Sequence, residues 1–473
     1  LARHRGEEPA GSRVHLRSIA QRHLHRGLPP AVRDVGLVVG VNRLTARLGR
    51  PVDGASLAVF RIAFGVLGVV AGARFFTHGW IDKYYSAPRW FFPYWGFSWV
   101  KPWPAPWMHV HYACIIAAAA CVALGLRTRI ASAVLALAFG YAHFCDQTNY
   151  LNHYYLYTLL AALGAVVPWS GVASLDARFR PMPKTVPLWA VWLFRFQLGV
   201  VYFYGAVGKI GSDWLLHGQP LRIWLAANAE LPWLGRFFHA ESTALVFSWA
   251  GFSFDLCIVA FLSWPRTRRP AYAVLVVFHV LTALLFRIGM FPWMMIALSP
   301  VFFAPDWPRR TKSLPRRTEP TRISRAWLAV AVAYVALQLL VPLRSHLYPG
   351  NTLWSEEGFR FAWKVMLVEK SGELEIAVTD RNGARTYVDA RDRLTPIQLR
   401  MVVTQPDMIL RFAHRVAAEY DARGLGPVQV RALSEVSFNG RAHAPLVDPA
   451  RDLSSERDTL AAKDWLLAAP PDR

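Results

Sequence analysis

Val-Tyr-Phe-Tyr-Gly-Ala-Val-Gly-Lys-Ile-Gly-Ser-Asp-Trp, residues 201–214, is an apolar and aromatic run that stops on one cation, Lys209, and turns into a Gly/Ser/Asp/Trp loop. The segment leading into it, 187–207, has the length and hydrophobicity of a bilayer span. The stretch therefore reads as a span end with an ionisable group at the membrane boundary. Such groups are costly at membrane depth and mark functional sites. Two readings of Lys209 follow. Its stem can lie along the span end with the ammonium in water. Alternatively, apolar surroundings can strip its proton and leave an amine that acts as a base. Gly205, Gly208 and Gly211 let a flat ligand approach the backbone, and they serve close helix packing equally well.

The rest of the chain fits a membrane protein. Of its 473 residues 54% are hydrophobic and 18% charged, against about 25% charged in soluble domains. It carries 20 Trp and 28 Phe. Nine apolar segments have the length of spans: 56–76, 109–125, 130–146, 153–169, 187–207, 243–262, 271–286, 288–304 and 326–343. Alternate loops carry 25 basic residues and the opposite set seven. This places the N-terminus in the cytoplasm and the C-terminal part outside. The fold expected is mostly α: a polytopic helical membrane domain of about nine spans (51–343), after a basic cytoplasmic arm (1–50). A small extracytoplasmic α+β domain (344–473) follows. The arm shows no signal-peptide core, so the first span is expected to act as the insertion signal.

The formal net charge of +22 lies entirely before residue 344, because the remainder carries 18 basic and 18 acidic residues. Orientation in the bilayer accounts for it. No aromatic-basic motif accompanies the charge, so no nucleic-acid partner is expected. Cys114, Cys121, Cys145 and Cys257 sit in apolar runs and read as free thiols. No metal-ligand spacing, Walker loop, dinucleotide fingerprint or nucleophile elbow is present. Paired broken helices of a transporter are not seen either.

Loop 77–108 lies outside and holds Trp-Phe-Phe-Pro-Tyr-Trp and Lys-Pro-Trp-Pro-Ala-Pro-Trp, which suits an interfacial belt or lid. Beyond Pro342, Phe359–Lys370 and Glu373–Asp380 alternate as strands do, ahead of an Arg-Asn-Gly-Ala hairpin signal. Pro406–Gly424 is helical by period, and Val428–Asn439 alternates again. The last stretch, Pro449–Arg473, is polar and expected to be loosely held.

Several polar residues cluster on the outer side. His153 sits in Asn-Tyr-Leu-Asn-His-Tyr-Tyr-Leu-Tyr, where it is either a held hydrogen-bonding group or a satisfied interfacial histidine. His279, in Val-Phe-His-Val-Leu-Thr, is more buried by pattern, and a lone His on an apolar face is most often structural. Asp255, Arg61 and Arg195 lie inside spans, where ion pairing is the natural expectation.

The ordered blocks Asn152-His153-Tyr154-Tyr155-Leu156, Arg195-x-Gln197, 201–214, Phe-Arg-Ile-Gly-Met-Phe (286–291) and Ser-Pro-Val-Phe-Phe-Ala-Pro-Asp-Trp-Pro (299–308) resemble vitamin K-dependent gamma-glutamyl carboxylase and its bacterial homologues. The likeness covers about residues 53–310 and continues more weakly through Phe361-Ala362-Trp363-Lys364-Val365-Met366. It implies a membrane enzyme that uses reduced vitamin K or menaquinol with O2 and CO2. In that family a base deprotonates the naphthohydroquinone, and oxygen addition yields a strong base. That base takes a γ-proton from a protein glutamate, CO2 traps the carbanion, and the quinone leaves as its epoxide. The resemblance carries the base to Lys209 and the catalytic histidine to His153. It places His279, Asn152, Arg195 and Gln197 at the quinol. It further implies a Glu-containing protein or peptide as partner and, with the Ala/Arg-rich composition, a bacterial inner membrane.

Animal members carry two adjacent lysines where this chain has Gly208-Lys209, and a disulfide to a longer lumenal region that this chain lacks. A quinol epoxidase without glutamate carboxylation therefore stands as an alternative, as does a non-catalytic protein that binds quinone or lipid.

Overall fold

The computed structural model describes residues 43–286, 288–309 and 319–471. Most of the basic arm and Arg287 lie outside the described residues. A short antiparallel pair, β1 (Pro51–Asp53) and β2 (Thr185–Pro187), opens the membrane part. The Asp53 carboxylate accepts from the Ala55 amide at 2.8 Å and from Arg309 Nη2 at 2.9 Å. It thereby satisfies an orphan donor at the start of the first helix.

All nine apolar segments are helical. They are α1 (Ala55–Thr77), α2 (Ala105–Leu124), α3 (Thr128–Phe144), α4 (Asn152–Val166), α5 (Leu188–Gly208), α6 (Glu241–Ser263), α7 (Arg268–Leu285), α8 (Phe291–Leu298) and α9 (Arg325–Leu340). Among the described residues six helices are long and apolar enough to cross a membrane: α1, α2, α5, α6, α7 and α9 with its continuation to Leu347. The nine expected spans are thus not matched by nine full-length ones. α3 has 17 residues and α4 has 15. The eighth segment is a broken piece, α8 running into a 3-10 turn at Ser299–Phe302. Hydropathy finds apolar runs, but it does not see that these three are short elements packed inside a bundle.

The bundle core is aromatic. Phe60, Phe64, Trp169 and Phe194 are buried in mutual contact. α1 and α2 approach closely at Gly65, where an added Cβ would lie 2.6 Å from the Ala119 carbonyl oxygen. Of the three intramembrane charges expected in ion pairs, only Asp255 has an ionic partner among the described residues. Arg61 is held by the carbonyls of Val122 and Ala123 at 2.6 and 2.7 Å. Arg195 donates to those of Val301 and Phe303, both at 2.8 Å. Both guanidiniums sit at helix C-terminal ends, where backbone carbonyl dipoles take the place of a counter-ion.

The C-terminal domain is α+β. Its sheet has the order β4-β3-β5-β6, all antiparallel: β3 (Lys370–Thr379), β4 (Arg385–Val388), β5 (Gln429–Phe438) and β6 (Ala444–Pro445). The helices α10 (Pro396–Val402) and α11 (Pro406–Ala422) cover it, and Met408, Phe412 and Val416 bury against Val430, Val436 and Phe438. Two expectations fail here. Phe359–Lys370 is not a strand: the ladder begins at Lys370, and the residues before it form an irregular strap. Its burial does not alternate: Ala362, Trp363 and Lys364 are buried in succession, and Val365 and Met366 line cavities. The C-terminal stretch is tied down rather than loose. Leu453 and Trp465 are buried, Val447 bridges Leu466, and the Trp354 indole donates to the Leu467 carbonyl at 2.9 Å.

Half of the Trp-rich loop is clamped beneath this domain. Phe92 joins its core and Gln398 Nε2 donates to the Trp90 carbonyl at 2.7 Å. Trp95, Trp99, Trp103 and Trp107 stay exposed, as an interfacial belt requires.

Candidate active site

Lys209 caps the C-terminus of α5, where unpaired carbonyls and the negative end of the helix dipole favour a cation. Its ammonium donates to the Gly205 carbonyl at 3.1 Å and to Asp255 Oδ2, on α6, at 2.7 Å. It also lies 5.0 Å from the centroid of the Trp214 ring. Lys209 is 6% exposed. It is therefore not a lysine with its head in water: it is one half of a buried ion pair. Gly205 makes room for the pair, since a Cβ there would lie 3.0 Å from Asp255 Oδ2.

The loop after Lys209 is gripped on both sides. The Trp214 indole donates to the Ser248 carbonyl at 2.9 Å. Asp213 accepts from Asn439 Nδ2 at 2.8 Å and from Arg441 Nη2 at 2.5 Å, both beyond β5. The C-terminal domain thus fixes the end of α5. Gly208 makes this approach possible, because a side chain there would meet Leu367 Cδ1 at 2.9 Å.

Lys209, Asp255, Trp214 and His279 line one cavity. Its other walls are apolar or aromatic and include Tyr202, Phe278 and Phe291. His279 Nε2 and the Tyr202 hydroxyl are 3.0 Å apart. Gly205 and Gly251 complete the wall without side chains, which leaves room for a flat ring.

His153 does not open into this cavity. It lines a second one, of about 1210 Å³, with Asn152, Arg74, Lys364 and Tyr154. The two cavities adjoin, and Ile288, Phe291, Val365 and Met366 line both. His153 stacks toward Phe291 with ring centroids 6.4 Å apart. It also faces Gly289, whose φ of +64° suits glycine and where a Cβ would sit 3.8 Å from the imidazole. Asn152 holds the strap: its Nδ2 donates to the Lys364 carbonyl at 2.9 Å and its Oδ1 accepts from the Tyr150 hydroxyl at 2.9 Å.

Arg195 and Gln197 line neither cavity. Arg195 serves the carbonyls at the end of the broken eighth segment. Gln197 accepts from the Tyr334 hydroxyl and donates to Gln338 Oε1 at 3.4 Å, which ties α5 to α9.

Sequence reasoning did not single out Lys364 or Arg74 as site residues. It treated Asp255 as one of three buried charges without naming its partner. A signal for the strap exists only in conformation. Phe361, Trp363 and Met366 have φ of +63°, +56° and +57°. Non-glycine residues in that region are uncommon, and their clustering marks a segment whose shape the surroundings impose.

The fold is a helical membrane bundle followed by an α+β domain, with two adjoining cavities whose walls share residues of both. The family profile described as the HTTM domain matches residues 49–307. That described as the vitamin K-dependent gamma-carboxylase lumenal domain matches residues 323–472. The chain belongs to the vitamin K-dependent gamma-glutamyl carboxylase family. No solved structure matches it.

Proposed function

We propose that the protein carboxylates glutamate side chains of a protein or peptide and couples this to epoxidation of a naphthohydroquinone, reduced vitamin K or menaquinol. The Lys209–Asp255 pair carries the reading: a proton-holding amine, sealed from water, faces an aromatic cavity that adjoins the cavity of His153. The flat, glycine-relieved walls fit a fused-ring quinol, and an apolar chamber at membrane depth is open to a lipid-soluble one.

The bound quinol supplies, with O2, the strong base that takes a γ-proton from glutamate, and CO2 adds to the carbanion. Everything else falls to the chain. Asp255 receives the ammonium proton across the 2.7 Å contact, which leaves neutral Nζ free to accept a phenolic proton. Trp214 and Tyr202 orient the ring, and His279 fixes the Tyr202 hydroxyl. His153 meets the glutamate side chain in the second cavity. Asn152 holds the strap that roofs both chambers and excludes water from reactive species. The alternating loop charges support an extracytoplasmic C-terminal domain and a cytoplasmic N-terminus, in a bacterial inner membrane.

The test is incubation of the purified protein with reduced naphthoquinone, labelled bicarbonate and a Glu-containing peptide. Epoxide together with labelled peptide is expected. Epoxide without label leaves a quinol epoxidase. Bound but unchanged quinone leaves a non-catalytic quinone-binding protein and removes the reaction.

A further inference from the structure

The cavity at His153 has a charge imbalance that the reaction outlined above does not use. Among the described residues its lining includes Arg74 from α1 and Lys364 from the strap, and no Asp or Glu. Neither cation has a salt-bridge partner among the described residues. Lys364 is 8% exposed; its ammonium donates to the Thr352 hydroxyl at 2.9 Å and lies 5.8 Å from the Phe359 ring centroid. Among the described residues its remaining donors have no hydrogen-bond acceptor. Glu356, which acts on it through space, is itself engaged by Lys370 Nζ at 2.9 Å. The Arg74 guanidinium lies 5.1 Å from the Trp80 ring centroid and lines the cavity. A buried cation without a counter-ion is costly and calls for an anion.

The strap holds Lys364 in this position. Asn152 grips its carbonyl, and the left-handed residues Trp363 and Met366 bracket it. Thus the residue that anchors the strap and the imidazole beside it, Asn152 and His153, share one cavity with the ammonium.

We propose that Lys364 and Arg74 form the receptor for a substrate carboxylate, so that the His153 cavity selects an acidic side chain over its amide. This rests on the reading of the protein as a glutamate-modifying enzyme and assigns the acidic substrate to one of the two chambers.

The experiment is calorimetric titration of the full chain in nanodiscs with a short peptide bearing one Glu, and with its Gln counterpart. Wild type is expected to prefer Glu by about tenfold, the scale of one charge-assisted hydrogen bond. Lys364→Met and Arg74→Met should each remove most of that preference, and Lys364→Arg should keep it. Preference for Glu that survives in both Met variants overturns the assignment. If Lys364→Met does not fold, as judged by its melting curve, Lys364→Gln and Arg74→Met carry the test. Displacement of the Glu peptide by phosphatidylglycerol or by inorganic phosphate makes the site a phosphate receptor and overturns the carboxylate assignment. Epoxide formation is scored in parallel. A wild type that prefers Glu yet makes no epoxide refutes the reaction and leaves the receptor. One that makes epoxide without preferring Glu refutes the receptor and leaves the reaction.

Discussion

At the Lys209 cavity the ammonium is paired at 2.7 Å with Asp255 and rests over the Trp214 ring; at the adjoining His153 cavity, Lys364 and Arg74 face the space with no carboxylate in its lining. The two chambers share a wall of Ile288, Phe291, Val365 and Met366, so they differ in chemistry more than in place. A neutral ion pair in an apolar room can pass a proton without attracting an anion. An unbalanced cation pair attracts an anion and has no carboxylate to take its proton. The difference teaches that charge balance, rather than the count of charged residues, divides the labour between the rooms.

Lys209→Ala is the strongest way to break this contrast. Quinol oxidation should fall by roughly 10²–10⁴-fold, the usual contribution of a positioned base, when epoxide is measured by chromatography. His153→Ala should lower label incorporation into peptide more than it lowers epoxide. Equal losses of both products in both variants would merge the two chambers into one.

Stability should separate them next. Asp255→Asn leaves a buried ammonium without its counter-charge and should cost about 3–5 kcal/mol in a denaturant titration of the solubilised protein. Replacing both partners with apolar residues should recover most of that loss. Lys364→Met, which breaks no ion pair, should leave the midpoint unchanged or raise it.

A pH series sharpens the contrast further. Burial pushes the Lys364 ammonium down to about 8; Glu356 opposes the shift and Arg344 adds to it. The cation is therefore present below pH 8 and lost as pH rises through it. Affinity for the Glu peptide should weaken across that window, with Arg74 supplying what remains above it. Stability runs the other way: between about 8 and the ordinary lysine value the unfolded chain binds the extra proton, so the folded state gains as pH rises.

The smallest expected effect is at the clamp. Arg441→Ala removes a contact that holds Asp213 and the loop after Lys209. Quinol turnover should drop by about tenfold, less than the roughly 10²-fold cost of a full 1 Å misplacement, with Glu affinity unchanged. An equal loss at both chambers would mean that the clamp supports the whole junction.

How much of this was legible varies with the range of the interaction involved. Lys209, His153 and His279 stand out because each interrupts an apolar run in a short, local pattern. The membrane class and the helix α11 are legible for the same reason. Asp255 was visible as a buried charge, but its partner is 46 residues away in sequence and on another helix. Arg195 and Gln197, which only the resemblance carried to the quinol, bond instead to the carbonyls of Val301 and Phe303 and to Gln338 and Tyr334 on α9. Lys364 was hidden in a segment whose polarity pattern reads as a strand, whereas its shape is set by positive φ at Phe361, Trp363 and Met366, which local polarity does not reveal.

Hydrophobicity, charge bias and local period depend on near neighbours, so the sequence alone settled that this is a polytopic membrane protein with a small α+β domain, and that an amine sits at a span end. Which charges neutralise one another depends on distances between elements far apart in the chain. Only the tertiary structure decided that Lys209 is paired with Asp255 while Lys364 lines a cavity, because a few ångströms of separation in low dielectric decide which charges pair.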